Sequence, residues 1–571
     1  MTGELPNAQL GGARVQEPSK VDQIADAFWE RFKQLSPISA TINGDTRYDD
    51  QLPDASAEGR EAWRQLAQDM RDAAASIPDE GLSVEDRITR DVLDVIGEIE
   101  LLQLEQRMDQ LHTVDQMGGP QTLLPQITQF QAADTPERMD AFMSRLHGYQ
   151  KYMADNREIL REALSSGLTA PRIVTLRTIA QLERMLAIPM DQAVIPSMVR
   201  VADEADREKI REVVRDEIYP ADAEFLEALR GEYLAASREE NGLWSAPNGD
   251  VLYATQIRRW TTLDQDPEVV HDIGLQELTT IEIERKVIAR AAGFGDDTRA
   301  YRASLASDPA NQPGTKDALI ARATEDIERA HEMAPRMFRN LPVSQCRVIP
   351  VEEYKERDAP FAYYYPPSAD TTRPGTYYVN TFDLPSRTYS RLASTTYHEA
   401  IPGHHFQIAL ESENTKLNNF RRFAARYAGG AYVEGWGLYA ERLADEMGLY
   451  RNDAERFGML DAQAWRAARL VVDTGMHALR WTRQQSIDTL LAAGLTETDA
   501  VIETDRYICW PAQALTYKTG QREIERLRRE ISARDGAAFD LREFHDQVIG
   551  HGSLPLATLA RELPTWVATP A

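Results

Sequence analysis

The residues of this chain best suited to chemistry are three histidines that fall within eight positions. The chain has 10 histidines in 571 residues, and three of them lie in His398-Glu399-Ala-Ile-Pro-Gly-His404-His405. Neutral imidazoles bind a Lewis-acidic ion, and a carboxylate beside that ion can accept a proton from a metal-bound water. The segment therefore predicts a zinc (Zn2+) site with Glu399 as the general base.

The spacing of these histidines excludes an unbroken helix. Zinc-binding histidines four positions apart share one helix face, but position 402 here is proline. In a continuous helix His404 would lie roughly 9 Å along the axis from His398, and His405 about 10.5 Å, whereas zinc–nitrogen bonds are about 2.0–2.1 Å. We therefore expect Pro402-Gly403 to bulge or break the helix. A bulge would return His404 to the ligand position, and His405 stays the alternative.

A third protein ligand is expected downstream, where Glu434 and Glu441 lie seven positions apart on nearly the same helix face. They are about 10.5 Å apart along the axis, so only one can reach a given ion. Glu434 is the preferred ligand, because Gly435 and Gly437 beside it suit a closely packed metal site. Glu441 is then a carboxylate behind the ligands or on the surface.

Further polar residues are candidates for supporting the ligands from behind. Asp473 and His477 are four positions apart and face the same way on a helix, which favours a carboxylate–imidazole pair. A hydrogen bond that only packs two helices together is the alternative. His405 is assigned to the same supporting role if it is not a ligand.

Three residues are candidates for binding a substrate. Arg506 could hold a substrate carboxylate with two hydrogen bonds, and its rivals are Arg373, Arg387 and Arg469. Asn380 ends a predicted strand that could lie at a sheet edge and pair with an extended peptide. Tyr364 belongs to a predicted loop at 363–375 that would cover the cleft, or would simply pack over the sheet.

The elements that must position these residues are mostly helices. Apolar residues recur at helical spacing from Val21 onward, as in Ile24, Phe28 and Phe32. Short β-branched and aromatic runs at 346–351 and 376–381 predict strands. We therefore expect a mainly α, multi-helix fold with a small β-sheet beside the active-site helix. The predicted divisions are a flexible tail at 1–20, an N-terminal helical lobe at 21–340 and a catalytic lobe with the metal site at 341–571.

The composition of the chain limits the kinds of molecule that it is expected to bind. The chain has 64 Lys and Arg against 91 Asp and Glu, a formal charge of −27, which repels nucleic acid and anionic lipid. No apolar run approaches the roughly 20 residues that cross a bilayer, and no signal-like segment opens the sequence. We expect a cytoplasmic protein without nucleic-acid or membrane partners, and the sequence sets no oligomeric state. The two cysteines, Cys346 and Cys509, are predicted to be ordinary core thiols.

Four segments resemble the motifs of a known family. The chain resembles the bacterial family called domain of unknown function 885, weakly after about residue 20 and closely after about 360. That family is grouped with the gluzincin-like zinc metallopeptidases, which implies a two-lobed helical fold of the thimet-oligopeptidase and carboxypeptidase Taq kind. The segments are HisGluAlaIleProGlyHisHisPheGln (398–407), GluGlyTrpGlyLeuTyrAlaGlu (434–441), AspThrGlyMetHis (473–477) and ProAlaGlnAlaLeuThrTyrLysThrGly (511–520).

The resemblance also implies roles for single residues. It implies that His398, His404 and Glu434 bind zinc and that Glu399 is the general base. Tyr517 resembles the phenol with which related peptidases stabilise the tetrahedral oxyanion. Lys518 is the alternative donor, and a tyrosine packed in a helix core is the alternative role for Tyr517. Dipeptidyl peptidase III tolerates one residue inserted between its histidine ligands, whereas this sequence has two.

The function predicted from these residues is zinc-dependent hydrolysis of peptide bonds in short peptides. A metal-dependent amidase acting on a small metabolite would use the same ligands and the same base. A third hypothesis is a non-catalytic helical protein that binds a metal without turnover.

Overall fold

The computed structural model describes residues 17–351, 356, 360–367 and 373–567. Of the tail predicted at 1–20, residues 1–16 lie outside this part of the chain. The first helix begins at Lys20, where the hydroxyl of Ser19 accepts from the backbone N–H of Asp22 and the Asp22 carboxylate accepts from the N–H of Ser19. This capping box satisfies two backbone donors that a helix start leaves without partners.

The first two thirds of the chain form helices, as the apolar periodicity predicts. Phe28 and Phe32 are buried on one face of the first helix, and Pro267 opens the long α15 behind the capping carboxylate of Asp266. The helices are α1 (Lys20–Leu35), α2 (Pro37–Ile42), α3 (Ala57–Ser76), α4 (Val84–Glu105), α5 (Met108–His112), α6 (Leu123–Ile127), α7 (Pro136–His147), α8 (Tyr149–Ser166), α9 (Arg172–Leu186), α10 (Val194–Met198), α11 (Glu204–Val213), α12 (Tyr219–Ala228), α13 (Leu234–Ala236), α14 (Gly249–Thr261), α15 (Pro267–Ala291), α16 (Thr298–Ser307) and α17 (Lys316–Met333).

A small sheet follows, and then helices continue almost to the end of the described chain. The strands are β1 (Cys346–Pro350), β2 (Ala362–Tyr365) and β3 (Gly375–Val379). The helices are α18 (Tyr389–Glu399), α19 (His404–Glu413), α20 (Gly430–Glu446), α21 (Asp453–His477), α22 (Arg483–Ala493), α23 (Glu497–Cys509), α24 (Thr516–Asp535), α25 (Leu541–Gly550) and α26 (Leu556–Trp566). The predicted mainly α fold with a small sheet is confirmed. None of these helices is both long and apolar enough to cross a membrane.

The order of the strands corrects two predictions. The order is β1-β3-β2, with β3 parallel to β1 and antiparallel to β2. The strand that ends beside Asn380 is therefore central, and the prediction that it is a free edge is wrong because both of its sides are already hydrogen-bonded. Residues 363–365 were predicted as loop but form most of β2.

The apolar core does not divide at residue 340. The larger cluster of buried apolar side chains joins α1, α3 and α4 to the sheet and to α18–α20. A second cluster joins α7–α12 to the C-terminal half of α21 and to α22 and α23. The predicted lobe boundary between 340 and 341 stays a prediction.

One close helix crossing places the downstream glutamate motif. A Cβ on Gly435 of α20 would lie 2.4 Å from Cα of Gly520 on α24, and a Cβ on Gly520 would lie 1.8 Å from the carbonyl oxygen of Ala431. Only glycine permits backbones this close. The two glycines thus fix where α20 presents Glu434.

Candidate metal centre

A short, anchored turn separates the two histidine-bearing helices. α18 ends before this turn, and α19 begins with His404. A Cβ on Gly403 would lie 1.9 Å from the carbonyl oxygen of His398, so glycine is required there. Nε1 of Trp436 donates to the carbonyl oxygen of Pro402 at 2.9 Å. The expected interruption at Pro402-Gly403 is present as a break between two helices, not as a bulge within one.

Three side chains converge beside this turn. Nε2 of His398 lies 3.5 Å, and Nε2 of His404 lies 3.3 Å, from Oε2 of Glu434. One possible ligand atom from each residue lies within 4.8 Å of the others. Atoms bound tetrahedrally to one zinc ion at about 2.0–2.2 Å are roughly 3–4 Å apart. The structure therefore brings the three predicted ligands to a spacing that fits a single ion.

The polar atoms themselves fit a cation. Oε2 of Glu434 is buried and makes no hydrogen bond of normal geometry with the described residues, although it faces two imidazole nitrogens. Such an orphaned acceptor is costly unless something positive satisfies it. A metal ion shared with His398 and His404 would do so.

Gly437 leaves the space that the two imidazoles occupy. A Cβ at this position would lie 2.8 Å from Cε1 of His398 and 2.9 Å from Cε1 of His404. Any larger residue at 437 must therefore push both rings aside. Gly437, about two turns into α20, thus leaves room for the histidine rings, whereas Gly435 permits the close helix crossing.

Gly437→Ala should lower the zinc content of the isolated protein, because the added methyl displaces both candidate ligand rings. Alanine favours a helix over glycine by roughly 0.5–1 kcal/mol, so we expect the melting temperature to change much less than the zinc content. Metal analysis by plasma mass spectrometry measures the first quantity. Gly550→Ala is the matched control, since its Cβ would meet nothing within 4 Å. A Gly437→Ala protein with its full zinc content would contradict this geometry.

A carboxylate orients His398 from behind. Nδ1 of His398 lies 2.9 Å from Oε1 of Glu441, so the Nδ1–H donates to the carboxylate and Nε2 is left to face Glu434. The other oxygen of Glu441 accepts from Nε2 of Gln463 at 3.2 Å, and Oε1 of Gln463 accepts from Nζ of Lys518 at 2.9 Å. Glu441 thus orients a candidate ligand, which is the arrangement that its predicted supporting role requires.

Charge around the cluster also favours a cation. Burial would raise the pKa of Glu434, but His398 and His404 outweigh it and hold that pKa well below its usual range. Burial likewise disfavours a protonated His398, yet Glu434 and Glu441 raise the pKa of this imidazole to about 10. With Glu399, three carboxylates surround two imidazoles, and a divalent ion would neutralise that excess.

Glu399 is placed as a base would be. It ends α18 directly after His398, is half-buried, and has no hydrogen-bond partner among the described residues. Burial raises its pKa, although His404 and His398 oppose that change. Burial, together with the charge of this carboxylate, raises the pKa of the Cys346 thiol to about 12. Cys346 is therefore a neutral thiol at physiological pH.

Tyr517 lies against the histidine pair, whereas Lys518 turns away. The ring of Tyr517 stacks on that of His398 with centroids 6.2 Å apart, and its hydroxyl has no hydrogen-bond partner among the described residues. Lys518 is tied to Gln463, and burial lowers its pKa to about 8. Of the two predicted oxyanion donors, Tyr517 is the one whose ring contacts His398, whereas the ammonium of Lys518 bonds to Gln463.

His405 and Tyr364 contact each other instead of the cluster. Nδ1 of His405 and the hydroxyl of Tyr364 are 2.9 Å apart, and Nε2 of His405 lies 2.9 Å from the carbonyl oxygen of Ser344. His405 thus fastens α19 to the sheet region. Tyr364 does not belong to a covering loop, because it lies on β2 with its hydroxyl held by this histidine.

The side chain of Asn380 hydrogen-bonds to the backbone of nearby segments. Its side-chain amide donates to the carbonyl oxygens of Glu356 and Pro360, and its Oδ1 accepts from the N–H of Phe382. The side chain is fully buried. These bonds assign Asn380 to local structure beside a central strand, where a peptide backbone cannot add.

The expected pair of Asp473 and His477 does not form. Asp473 accepts from the hydroxyl of Tyr253 at 2.6 Å and from the N–H of Ala512 at 3.0 Å. His477 accepts at Nδ1 from the N–H of Leu243 and donates from Nε2 to the carbonyl oxygen of Tyr507. Both residues instead position the segment that leads into α24 and Tyr517.

The four arginines proposed for substrate binding differ in their contacts. Arg373 stacks over Phe130 and Arg387 over Phe361. Arg469 lies 4.2 Å from the ring centroid of Tyr517. Arg506 donates to Oε1 of Gln513 at 2.8 Å and keeps 20 % of its side chain exposed.

Two residues of this region were missed from the sequence. Gln463 and Arg466 lie on α21 at spacings of three, with Arg469, Asp473 and His477 continuing along the helix. All five are buried. A polar stripe running among the apolar residues of this 25-residue helix was the available signal, because a buried stripe must have polar partners.

The fold and the site together define a mainly helical protein. Its His-His-Glu cluster is recessed and suited to one divalent ion. The chain belongs to the family described as "Bacterial protein of unknown function (DUF885)", whose model matches residues 37–563. The family predicted from the four motifs is thereby confirmed.

Two solved structures are similar over nearly the whole chain. A "putative lipoprotein" from Colwellia psychrerythraea is 28 % identical, with 96 % of this chain and 99 % of that chain covered and a TM-score of 0.88. A "putative lipoprotein of unknown function" from Shewanella oneidensis is 17 % identical, with 95 % and 99 % covered and a TM-score of 0.74, which shows the fold alone. No curated protein matches this chain.

Proposed function

We propose that this protein is a zinc peptidase of the gluzincin-like group, with a two-lobed metallopeptidase-like fold, that hydrolyses short peptides. The observation that carries the proposal is the convergence of His398, His404 and Glu434 within 4.8 Å. The carboxylate of Glu399 directly follows one ligand, and Tyr517 stacks on the same ligand. These are the parts that metal-assisted hydrolysis needs, namely ligands, a base and an oxyanion donor.

The residues divide the chemistry between them. A zinc ion, when bound, supplies Lewis acidity that activates water and polarises the scissile carbonyl. Glu399 accepts a proton as the water oxygen bonds to the carbonyl carbon, and it passes that proton to the leaving nitrogen as the C–N bond breaks. The hydroxyl of Tyr517 donates to the carbonyl oxygen while negative charge develops there. The products are a carboxylate and an amine.

The burial of the site supports small, extended substrates. Only 11 % of the His404 side chain and 23 % of the Glu434 side chain are exposed. A peptide backbone can reach such a recessed cluster, whereas the surface of a folded protein cannot. The charge of −27 supports the absence of a nucleic-acid partner. The cytoplasmic location stays a prediction, since the similar Colwellia protein is described as a lipoprotein.

A peptide library tests this function directly. The purified protein is incubated with a mixed pool of short peptides, and the products are read by mass spectrometry with and without a zinc chelator. We expect cleavage products that disappear with chelator and return when zinc, but not magnesium, is added back. A folded protein substrate provides the control and should remain intact over the same time. Cleavage that persists in a protein shown to be free of metal would contradict the proposal.

A further inference from the structure

A cluster of buried cations next to Tyr517 has no task in the hydrolysis described above. The guanidinium carbons of Arg469 and Arg466 lie 4.2 Å and 5.9 Å from the ring centroid of Tyr517. Tyr517 in turn stacks on His398. Tyr517 therefore contacts both Arg469 and His398, and Arg466 also lies 3.9 Å from Glu441, the carboxylate that accepts from His398.

Arg469 is held rigidly but keeps one donor free. Its Nε donates to the hydroxyl of Tyr507 at 2.9 Å, and its Nη2 donates to Glu503 at 3.0 Å. Its guanidinium also lies 4.5 Å from the ring centroid of Trp465. Only 2 % of the side chain is exposed, and Nη1 has no partner among the described residues. A fixed guanidinium with an unused, buried N–H group is prepared for an acceptor.

The neighbouring arginines repeat this pattern. Nη2 of Arg466 lies 3.9 Å from Glu441, and Nη2 of Arg506 donates to Gln513. The Nε atom of each is buried without a partner among the described residues. The three arginines thus leave three donors unused, and two of them, Arg466 and Arg469, lie over the ring of Tyr517.

The unused donors of this cluster favour one kind of acceptor. Arg469 and Arg506 face Glu503, and Arg466 faces Glu441, which already accepts from His398. A buried donor without an acceptor is costly. Guanidinium groups match carboxylates with paired hydrogen bonds, so a carboxylate is the acceptor that fits the unused donors.

We propose that Arg469 and Arg466 bind the terminal α-carboxylate of the peptide substrate, so that the protein removes residues from the carboxyl end. This inference rests on the proposed peptidase function and specifies its substrate class. The ring of Tyr517 lies 6.2 Å from that of His398 and 4.2 Å from the guanidinium carbon of Arg469, so this guanidinium is at most about three extended residues from His398, at roughly 3.3–3.6 Å each. The scissile bond is therefore expected within about three residues of the terminus.

Two matched peptide pools test the inference. One tripeptide pool carries free carboxyl termini, and the other carries the same sequences as C-terminal amides. We expect the wild-type protein to cleave the amides at least about 10²-fold more slowly, because a buried cation loses its charged partner. Arg469→Gln should bring the acid-to-amide ratio of cleavage rates close to 1, because the acids lose the cation that distinguishes them from the amides.

Two further variants separate binding from chemistry and from stability. Tyr517→Phe should slow both pools by the same factor, since it removes an oxyanion donor. Arg302→Gln is the control for losing a stacked, ion-paired arginine, because Arg302 lies over Phe457 and pairs with Asp461. It should leave the acid-to-amide ratio unchanged. If Arg469→Gln cleaves neither pool, the acid-to-amide ratio of the wild-type protein still shows whether the terminal carboxylate is recognised.

Other outcomes overturn the inference while leaving peptide hydrolysis intact. If amides are cleaved as fast as acids, the protein does not recognise the terminal carboxylate. If amides are cleaved only beside Asp or Glu, the arginines bind a side-chain carboxylate and not the terminal one. If neither pool is cleaved, the proposed peptidase function is wrong. Equilibrium dialysis of Glu399→Gln with each pool then tests carboxylate binding independently of hydrolysis. Binding of acids over amides, lost when Arg469→Gln is added, is the expected result, and equal binding overturns it.

Discussion

His404→Ala is expected to lose most of its zinc and all measurable hydrolysis. The change reduces three protein ligands to two, and Nε2 of His404 lies 3.3 Å from the shared oxygen of Glu434. Two ligands hold zinc far more weakly than three, because the remaining positions fall to water. Metal analysis after gel filtration should give about one zinc per wild-type chain and much less in the variant.

His405→Ala is the matched control for this prediction. Its imidazole is adjacent in sequence but bonds to Tyr364 and to the carbonyl oxygen of Ser344. The replacement should lower the free energy of unfolding by about 1–3 kcal/mol, because buried partners lose their hydrogen bonds, and should retain the zinc. Loss of zinc in His405→Ala together with retention in His404→Ala would exchange the two residues as ligands.

The helix break could be predicted because its cause is local. Proline at 402 prevents an ordinary helix between the histidines, and the ligand geometry forbids a straight one. Whether the chain would bulge or break could not be predicted from these residues. The outcome depends on Trp436, which holds the carbonyl of Pro402 from another helix, and such a contact leaves no periodic signal in the sequence.

The sequence predicted a small sheet and two of its strands, but not the order of the strands. Two strands stand out as β-branched or aromatic runs, whereas Tyr363 to Tyr365 are followed by prolines that favour a loop. Strand order is set by tertiary pairing and not by local pattern. The assignment of Asn380 to a free edge was therefore wrong, although the strand before it was correct.

Spacing along a helix predicts neighbours on one face but not their partners. Asp473 and His477 do share a face of α21, yet Tyr253 and Leu243 reach them from more than 200 residues away in sequence. The same rule left Glu441 either behind the ligands or on the surface, and only the fold shows that it bonds to His398. Hydrogen-bond partners that come from distant segments of the chain can be identified only from the folded structure.

Glu399→Gln should abolish most turnover while leaving the metal in place. Glutamine keeps the size of the side chain but cannot accept a proton from the attacking water, so turnover of the best substrate should fall by roughly 10²–10⁴-fold. No hydrogen bond to the described residues is lost, and the ligands are unchanged, so zinc content and melting temperature should match those of the wild-type protein. Glu413→Gln is the control, because Glu413 only accepts from backbone N–H groups at 343 and 344, and its activity should be normal. Near-normal turnover by zinc-loaded Glu399→Gln would show that another group takes the proton, and the hydrolytic mechanism proposed for this cluster would then be wrong.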